Sequence, residues 1–330
     1  MKRLSKFFQA LISIILVLCV GFMVEGCKKE DETEKKINAL EVNLSVARFD
    51  RDFATTPPEK LPKLKAKYPY LFPTQYPDSV WIHKLQDTLQ QEIAEEVDNT
   101  FGSFEEITEG LTDFYKHVKY YFPGETIPNV VTLTSDVNYE NRVILADTLL
   151  LLGLDNYLGA DHRFYQSVPR YIAKGLDKTY LVSDVAGTFS RKVVRVPRGR
   201  TFLAKMVYYG KLLYLKDKLV PQLTDAQKIG YAQDEIDWAF ANEEQIWRYF
   251  IENELLYSTD ATLDARFLDH APFSKFRLAL DNESPGRLGR FLGWQILRAF
   301  VAKNESLTLQ EVLDLPADEI LKQSNYKPKR

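Results

Sequence analysis

The sequence predicts a mainly helical α+β domain with one small antiparallel sheet, and three observations predict it. Apolar residues recur at helical spacing through long stretches on both sides of residue 130. Runs rich in β-branched residues are confined to a short middle segment, Val130-Val131-Thr132-Leu133-Thr134 and Val143-Ile144-Leu145. Two pairs spaced as capping boxes, Ser103 with Glu106 and Thr308 with Glu311, each precede an apolar helical pattern.

The chain opens with a different signal. Lys2, Arg3 and Lys6 precede an almost wholly apolar stretch, residues 7–24, and then Glu25-Gly26-Cys27. A positive start, an apolar run and a small residue before a cut is a secretory signal. Val24-Glu25-Gly26-Cys27 resembles a lipobox, in which the cysteine thiol is acylated and becomes the new N-terminus. Glu25 stands where a small residue is usual, and an uncleaved membrane span is the rival reading, since the apolar run has about its length. The reading adopted is residues 1–26 as a lipoprotein signal peptide and Cys27 as the lipidated residue. Each buried methylene of an acyl chain contributes about 0.8 kcal/mol, so several chains on Cys27 form a durable anchor to a membrane. The only other cysteine, Cys19, leaves with the signal, so the exported domain has no internal disulfide and no Cys-based metal site.

Residues 27–37 read as a charged tether and 38–330 as a single globular domain. The tether, Lys28-Lys29-Glu30-Asp31-Glu32 onward, lacks an apolar residue through position 36. The full chain carries 43 Lys and Arg against 46 Asp and Glu. Removing residues 1–26 takes with it Lys2, Arg3, Lys6 and Glu25, which leaves 40 against 45. That mild acidity argues against nucleic acid as a partner.

Within the domain, the alternation Val42-Asn43-Leu44-Ser45-Val46 suits a half-buried strand. Six prolines between 57 and 77 restrict that segment to extended or short helical pieces. Asp78 or Ser79 can cap a helix striped by Ile82, Leu85, Leu89, Ile93 and Val97. A second helix opens at Ser103 and carries Ile107, Leu111, Phe114 and Val118. The β segment follows, ending on Leu149 to Leu154. Helices return near Pro169; residues 202–219 are apolar on a wide face and read as central. Residues 235–256 form a long helical stretch that breaks near Asn242. In residues 284–301, Ser284 and Pro285 read as a helix start, and Gly286, Gly289 and Gly293 share one face. Glycine costs about 1 kcal/mol in a helix interior, so that bare face implies close packing against another helix.

Chemistry-bearing motifs are few. The four histidines, His83, His117, His162 and His270, form no His-x-x-x-His pair and no zinc-binding helix. His83 and His117 are expected on polar or boundary faces of helices. No Gly-x-Ser-x-Gly elbow and no phosphate loop are present, and no cofactor is implied. The carboxylates Asp260, Asp264, Asp281 and Glu283 lie near Arg266, Arg277 and Arg287 in sequence. A carboxylate-dependent envelope enzyme would draw on them, and structural ion pairs are the competing reading. A glycan-binding lipoprotein would instead show a row of exposed Trp and Tyr.

Several blocks resemble the gliding-motility lipoprotein GldB family. They are Cys27 with its signal, Tyr209-Gly210-Lys211-Leu212-Leu213-Tyr214, Asn242-Glu243-Glu244-Gln245-Ile246-Trp247, Leu255-Leu256-Tyr257-Ser258-Thr259-Asp260, Ala271-Pro272-Phe273-Ser274-Lys275-Phe276 and residues 284–296. The resemblance implies a non-catalytic protein of the cell envelope, on its periplasmic face or outer surface. It implies partners among gliding or type IX secretion proteins, and no catalytic residues. A more distant likeness, to the layout of gluzincin-type peptidases, places Ser183-Asp184-Val185-Ala186-Gly187 where that group has its zinc-binding histidines and Tyr209 where it has a glutamate ligand. The ligands of a tetrahedral zinc site are missing from those positions, so the likeness implies a degenerate site.

Overall fold

The computed structural model describes residues 32–278 and 281–328. The expected signal peptide, residues 1–26, and the expected lipidation site Cys27 lie outside the described residues. The first described element is a short helix, α1 (Glu32–Asn38), so part of the expected tether is helical. It belongs to a unit of its own, residues 1–41; the remainder of the chain forms the second unit. Among the described residues no helix is long and apolar enough to cross a membrane.

The second unit opens on β1 (Val46–Arg48), shorter and later than the alternation 42–46 predicts. Helices α2 (Phe49–Ala54) and α3 (Leu61–Lys67) follow, the latter among the prolines. The helix expected from residue 78 is two: α4 (Asp78–Gln86) and α5 (Thr88–Phe101). Asp87 separates them because its carboxylate caps α5, accepting from the Gln90 amide at 3.0 Å. The break turns Leu89 outward, 53% exposed, while Leu85, Ile93 and Val97 stay buried. Helix α6 (Glu105–Tyr121) buries the expected stripe. Its capping box does not form: Phe104 takes the N-cap position with φ 65° and buries its ring. Burial of an aromatic side chain outweighs a cap worth about 1 kcal/mol. His117 lies on the buried face of this helix, not on a polar or boundary face.

The sheet is mixed, where the sequence pattern suggests an antiparallel one. Strands β2 (Asn129–Leu133), β3 (Val143–Ala146) and β4 (Leu149–Gly153) join β1 in the order β1-β2-β4-β3. β1 pairs with β2 in parallel, β2 with β4 in parallel, and only β3 with β4 antiparallel. Strands β2 and β3, neighbours in sequence, are separated by β4. The central strands alternate between two cores. Val130, Leu150 and Leu152 face the main helical core, while Val131, Leu149 and Leu151 face a smaller one with Phe49, Tyr68 and Phe72.

Beyond the sheet come α7 (Arg170–Ala173), α8 (Leu181–Val193), α9 (Phe202–Leu219), α10 (Asp225–Ile229), α11 (Gln233–Ala241) and α12 (Glu243–Glu252). The expected break at Asn242 is the junction of α11 and α12. Then come α13 (Thr262–Phe267), α14 (Leu288–Val301), α15 (Leu309–Asp314) and α16 (Ala317–Ser324). Thr308 and Glu311 form the predicted capping box at the start of α15. Helices α9 and α14 cross in close contact, but of the three glycines expected on one face only Gly293 sits at the crossing: Gly289 packs against Phe267, Leu268 and the Phe202 ring, and Gly286 precedes the helix, where a Cβ would meet the Ala271 carbonyl. A Cβ on Gly210 would overlap the Gly293 backbone, and one on Gly293 would overlap the Met206 carbonyl. Ser284 does not cap α14. Its hydroxyl donates to the Asp281 carbonyl at 2.7 Å, closing a turn before the helix, and Arg287 occupies the N-cap position.

Candidate functional site

A cleft of about 810 Å³ opens between the edge strand β3 and the helices α8, α9 and α14. Six of its lining residues are cationic by type, Arg142, Arg191, Lys216, Lys228, Arg287 and Arg290, against two carboxylates, Glu140 and Asp184. The rim that carries Tyr139 and Glu140 is held by buried Asp155. That carboxylate accepts from the Ser135 and Val137 amides at 2.9 and 2.6 Å, and Asp136 and Val137 both adopt φ 57°. A branched residue such as valine rarely adopts positive φ, so the carboxylate holds this turn against local strain.

On the sheet side of the cleft, Arg142 Nε donates to Asp184 at 2.7 Å, and the buried Tyr157 hydroxyl lies 3.0 Å from the same carboxylate. Burial works against the Arg142 charge, yet Asp184 and Tyr157 raise its pKa overall. This pair is neutral as a unit.

The other wall is built differently. Lys216, on the face of α9 turned to α8, donates to Ser183 Oγ at 2.9 Å and to the Lys228 carbonyl at 2.8 Å. Its ammonium lies beside Gly187, so a Cβ there would meet Lys216 Cε at 3.1 Å. Positions 183 and 187 have the i, i+4 spacing at which a zinc-binding helix carries its two histidines. In this chain a lysine side chain fills the space that both positions face. Burial, with Arg191, Arg287 and Arg142 adding to it, lowers the Lys216 pKa to about 7, although Asp184 opposes the shift.

Arg287 and Arg290 lie at the start of α14. Arg287 Nη1 and Nη2 donate to the Ile229 and Gly230 carbonyls at 3.0 and 2.8 Å, and its guanidinium lies 5.0 Å from the Tyr231 ring centroid. Arg290 Nε donates to the Leu268 carbonyl, and its guanidinium lies 4.0 Å from the centre of the Tyr209 ring. Burial lowers both pKa values, that of Arg290 to about 10 with the Arg287 charge adding to it. His270, at the rim, is held below the ordinary histidine range by the Arg287 charge first, with Arg290 adding to it. The site is therefore electropositive, and its guanidinium groups on this wall rest on carbonyls and aromatic rings.

The chain matches the family described as gliding motility protein GldB over residues 30–328. It belongs to the gliding-motility protein GldB family. No curated protein and no solved structure matches it.

The GldB-family blocks that carry the resemblance meet at this cleft only in part. Tyr209, Arg287 and Arg290 line it, whereas Asn242 is the N-cap residue of α12 and Glu243 to Trp247 lie on it, outside the lining. Asp184 and Gly187 of the 183–187 segment line the cleft, while Tyr209 stacks under Arg290 and Lys216 is the α9 residue that meets Ser183 and Gly187. The four carboxylates expected in loops do not form one cluster: Asp264 lies on α13, Asp281 and Glu283 share a short turn, and none lines the cleft. Asp260 caps Thr262, Asp264 pairs with Lys205 at 2.6 Å, and Asp281 caps the Arg277 and Leu278 amides. No row of exposed tryptophans exists: Trp294 is fully buried and Trp81, Trp238 and Trp247 are half-buried. Among the described residues, no group of three or more His, Cys, Asp or Glu side chains could hold a metal ion. The cleft cations carry no motif in sequence. One signal was present: Arg287 and Arg290 sit at a helix start, where acidic residues are favoured and cations are not.

Proposed function

We propose that this protein is a lipid-anchored component of the cell envelope that supports gliding motility and type IX secretion by binding rather than by catalysis. The observation that carries the reading is the family match across residues 30–328. The lipobox-like Val24-Glu25-Gly26-Cys27 supports the anchor. Support for a non-catalytic role comes from the cleft, where a lysine ammonium occupies the space that a metal would need between positions 183 and 187. Its partners in this reading are the membrane, through the lipid on Cys27, and other gliding or secretion proteins.

The test is a deletion strain complemented with the wild-type gene or with Cys27→Ala. Colony spreading, secretion of type IX cargo and palmitate labelling are scored in each. The reading expects spreading or secretion to fail on deletion, to return with the wild type and not with Cys27→Ala, and labelling to require Cys27. Normal spreading and secretion without the gene would overturn it.

A further inference from the structure

We propose that the cleft between β3, α8, α9 and α14 binds a phosphate-bearing ligand, with Arg287 and Arg290 as its clamp and Arg191 at its rim. The proposal concerns this site alone and stands independently of the motility reading.

The first argument is charge balance. Of the lining cations, Arg142 is matched by Asp184, and Lys228 by Asp217 at 3.1 Å. Arg191, Arg287, Arg290 and Lys216 have no carboxylate in ion-pair contact among the described residues. Arg191 donates to Thr188 Oγ1 at 3.0 Å, and the other three donate to carbonyl or hydroxyl oxygens. Of the nearby acids, Asp184 is committed to Arg142 and Tyr157, and Glu235 to Lys174 and the Ala232 amide, while Asp269 attracts Arg290 from outside the lining without forming an ion pair. Gathering Arg287, Arg290 and Lys216 away from water without carboxylates is costly, and exposed Arg191 adds to their repulsion from the rim. An anion in the cleft removes that cost.

The second argument is placement. Arg287 is the N-cap residue of α14 with φ 65°, and Arg290 is in the first turn. A cation there opposes the helix dipole, and positive φ is strained for arginine. Two guanidinium groups three residues apart, at the amide end of a fourteen-residue helix, converge on the same cleft. Arginine forks favour oxyanions, and the positive end of the helix dipole adds to that attraction, although the Leu288 and Arg290 amides are themselves bonded to Ser274 and Arg287.

The third argument selects phosphate. The excess is three guanidinium groups plus the Lys216 amine against one uncommitted lining carboxylate, Glu140. A carboxylate supplies one negative charge and two oxygens. A phosphate group supplies close to two charges and three strong acceptors, which matches the excess better. The cleft volume of about 810 Å³ leaves room for an organic remainder beside Tyr139, Tyr171 and Tyr209. The phosphate could belong to a soluble ester or to a lipid headgroup, and the two are separable.

The experiment is calorimetric titration of the full lipidated chain in neutral detergent at low salt. The probes are inorganic pyrophosphate, short-chain dioctanoyl phosphatidylglycerol and succinate. The expected result is one-site binding of pyrophosphate or the phospholipid, with succinate at least about tenfold weaker. Arg290→Gln and Arg191→Gln should each weaken binding about tenfold, the size of one lost charged hydrogen bond. Arg170→Gln, which removes an exposed ion pair with Asp161, should leave it unchanged. Tighter binding of the phospholipid than of pyrophosphate would assign the phosphate to a headgroup, and the reverse to a soluble ester. Arg191 is exposed, so its variant keeps the test intact if Arg290→Gln does not fold. Absence of binding by both phosphate probes at about 1 mM, binding that succinate matches, or equal binding in folded cleft variants and wild type would overturn the proposal.

Discussion

Lys216 and Asp217 are adjacent on α9 and enter two opposite kinds of charge cluster. Asp217 faces α14, where it accepts from Arg298 at 2.7 and 2.8 Å, from Lys228 at 3.1 Å and from the Trp294 indole at 2.8 Å. Asp225 completes that cluster by pairing with Arg298 at 2.7 Å. Burial works against Arg298, yet the two carboxylates raise its pKa overall. Lys216 faces the cleft, where burial first and then neighbouring guanidinium groups lower its pKa, and its own contacts are a hydroxyl and a carbonyl. One cluster is balanced and welds three helices together. The other carries an excess of like charge into an open cleft. The contrast separates charge used for folding from charge held in reserve for a ligand.

The sharpest way to break the comparison is Asp217→Asn. It leaves Arg298 and Lys228 short of a carboxylate in a partly buried cluster and should cost about 3–5 kcal/mol in urea unfolding. Arg290→Gln, on the unbalanced side, should cost about 1 kcal/mol, since a carbonyl hydrogen bond and the contact with the Tyr209 ring are lost while repulsion is relieved. Equal losses would erase the distinction. The shared scaffold is tested by Gly293→Ala, whose methyl would overlap the Met206 carbonyl at the helix crossing. Forcing the crossing apart should cost about 2–3 kcal/mol and should disturb both clusters.

Lys216 gives the unbalanced cluster a pH signature. Its folded pKa of about 7 lies below the ordinary lysine value of 10.5. Below pH 7 the amine is charged in both states and the full penalty of burying it applies. Above pH 7 the folded chain sheds the proton while the unfolded chain keeps it, so stability should rise by at most about 1.4 kcal/mol per pH unit. The rise should end near pH 10, where unfolded tyrosines ionise while buried Tyr157 and Tyr231, whose pKa values burial raises, stay neutral. Chemical denaturation from pH 6 to 10 should show this slope in the wild type and lose it in Lys216→Met. The smallest effect sets the scale: Thr308→Ala, at a capping box remote from both clusters, should cost about 1 kcal/mol with no pH slope in that window.

Local pattern revealed the helical character, the stripe of α6, the break at Asn242, the Thr308 cap and the close approach at Gly293. Each depends on residues within a turn or two of one another, where spacing and backbone preference suffice. The lipobox-like Val24-Glu25-Gly26-Cys27 is legible for the same reason, being a contiguous motif. The rest required the folded chain. Strand order did, because β4 inserts between β2 and β3 and parallel pairing of β1 with β2 depends on how some eighty intervening residues pack. So did the burial of His117 and the displacement of the Ser103 cap, where core packing overrode a local preference. Above all, the cleft gathers Arg142, Arg191, Lys216 and Arg287 from four separate parts of the chain. Charge excess is a property of distances between side chains, and no one-dimensional spacing encodes those distances.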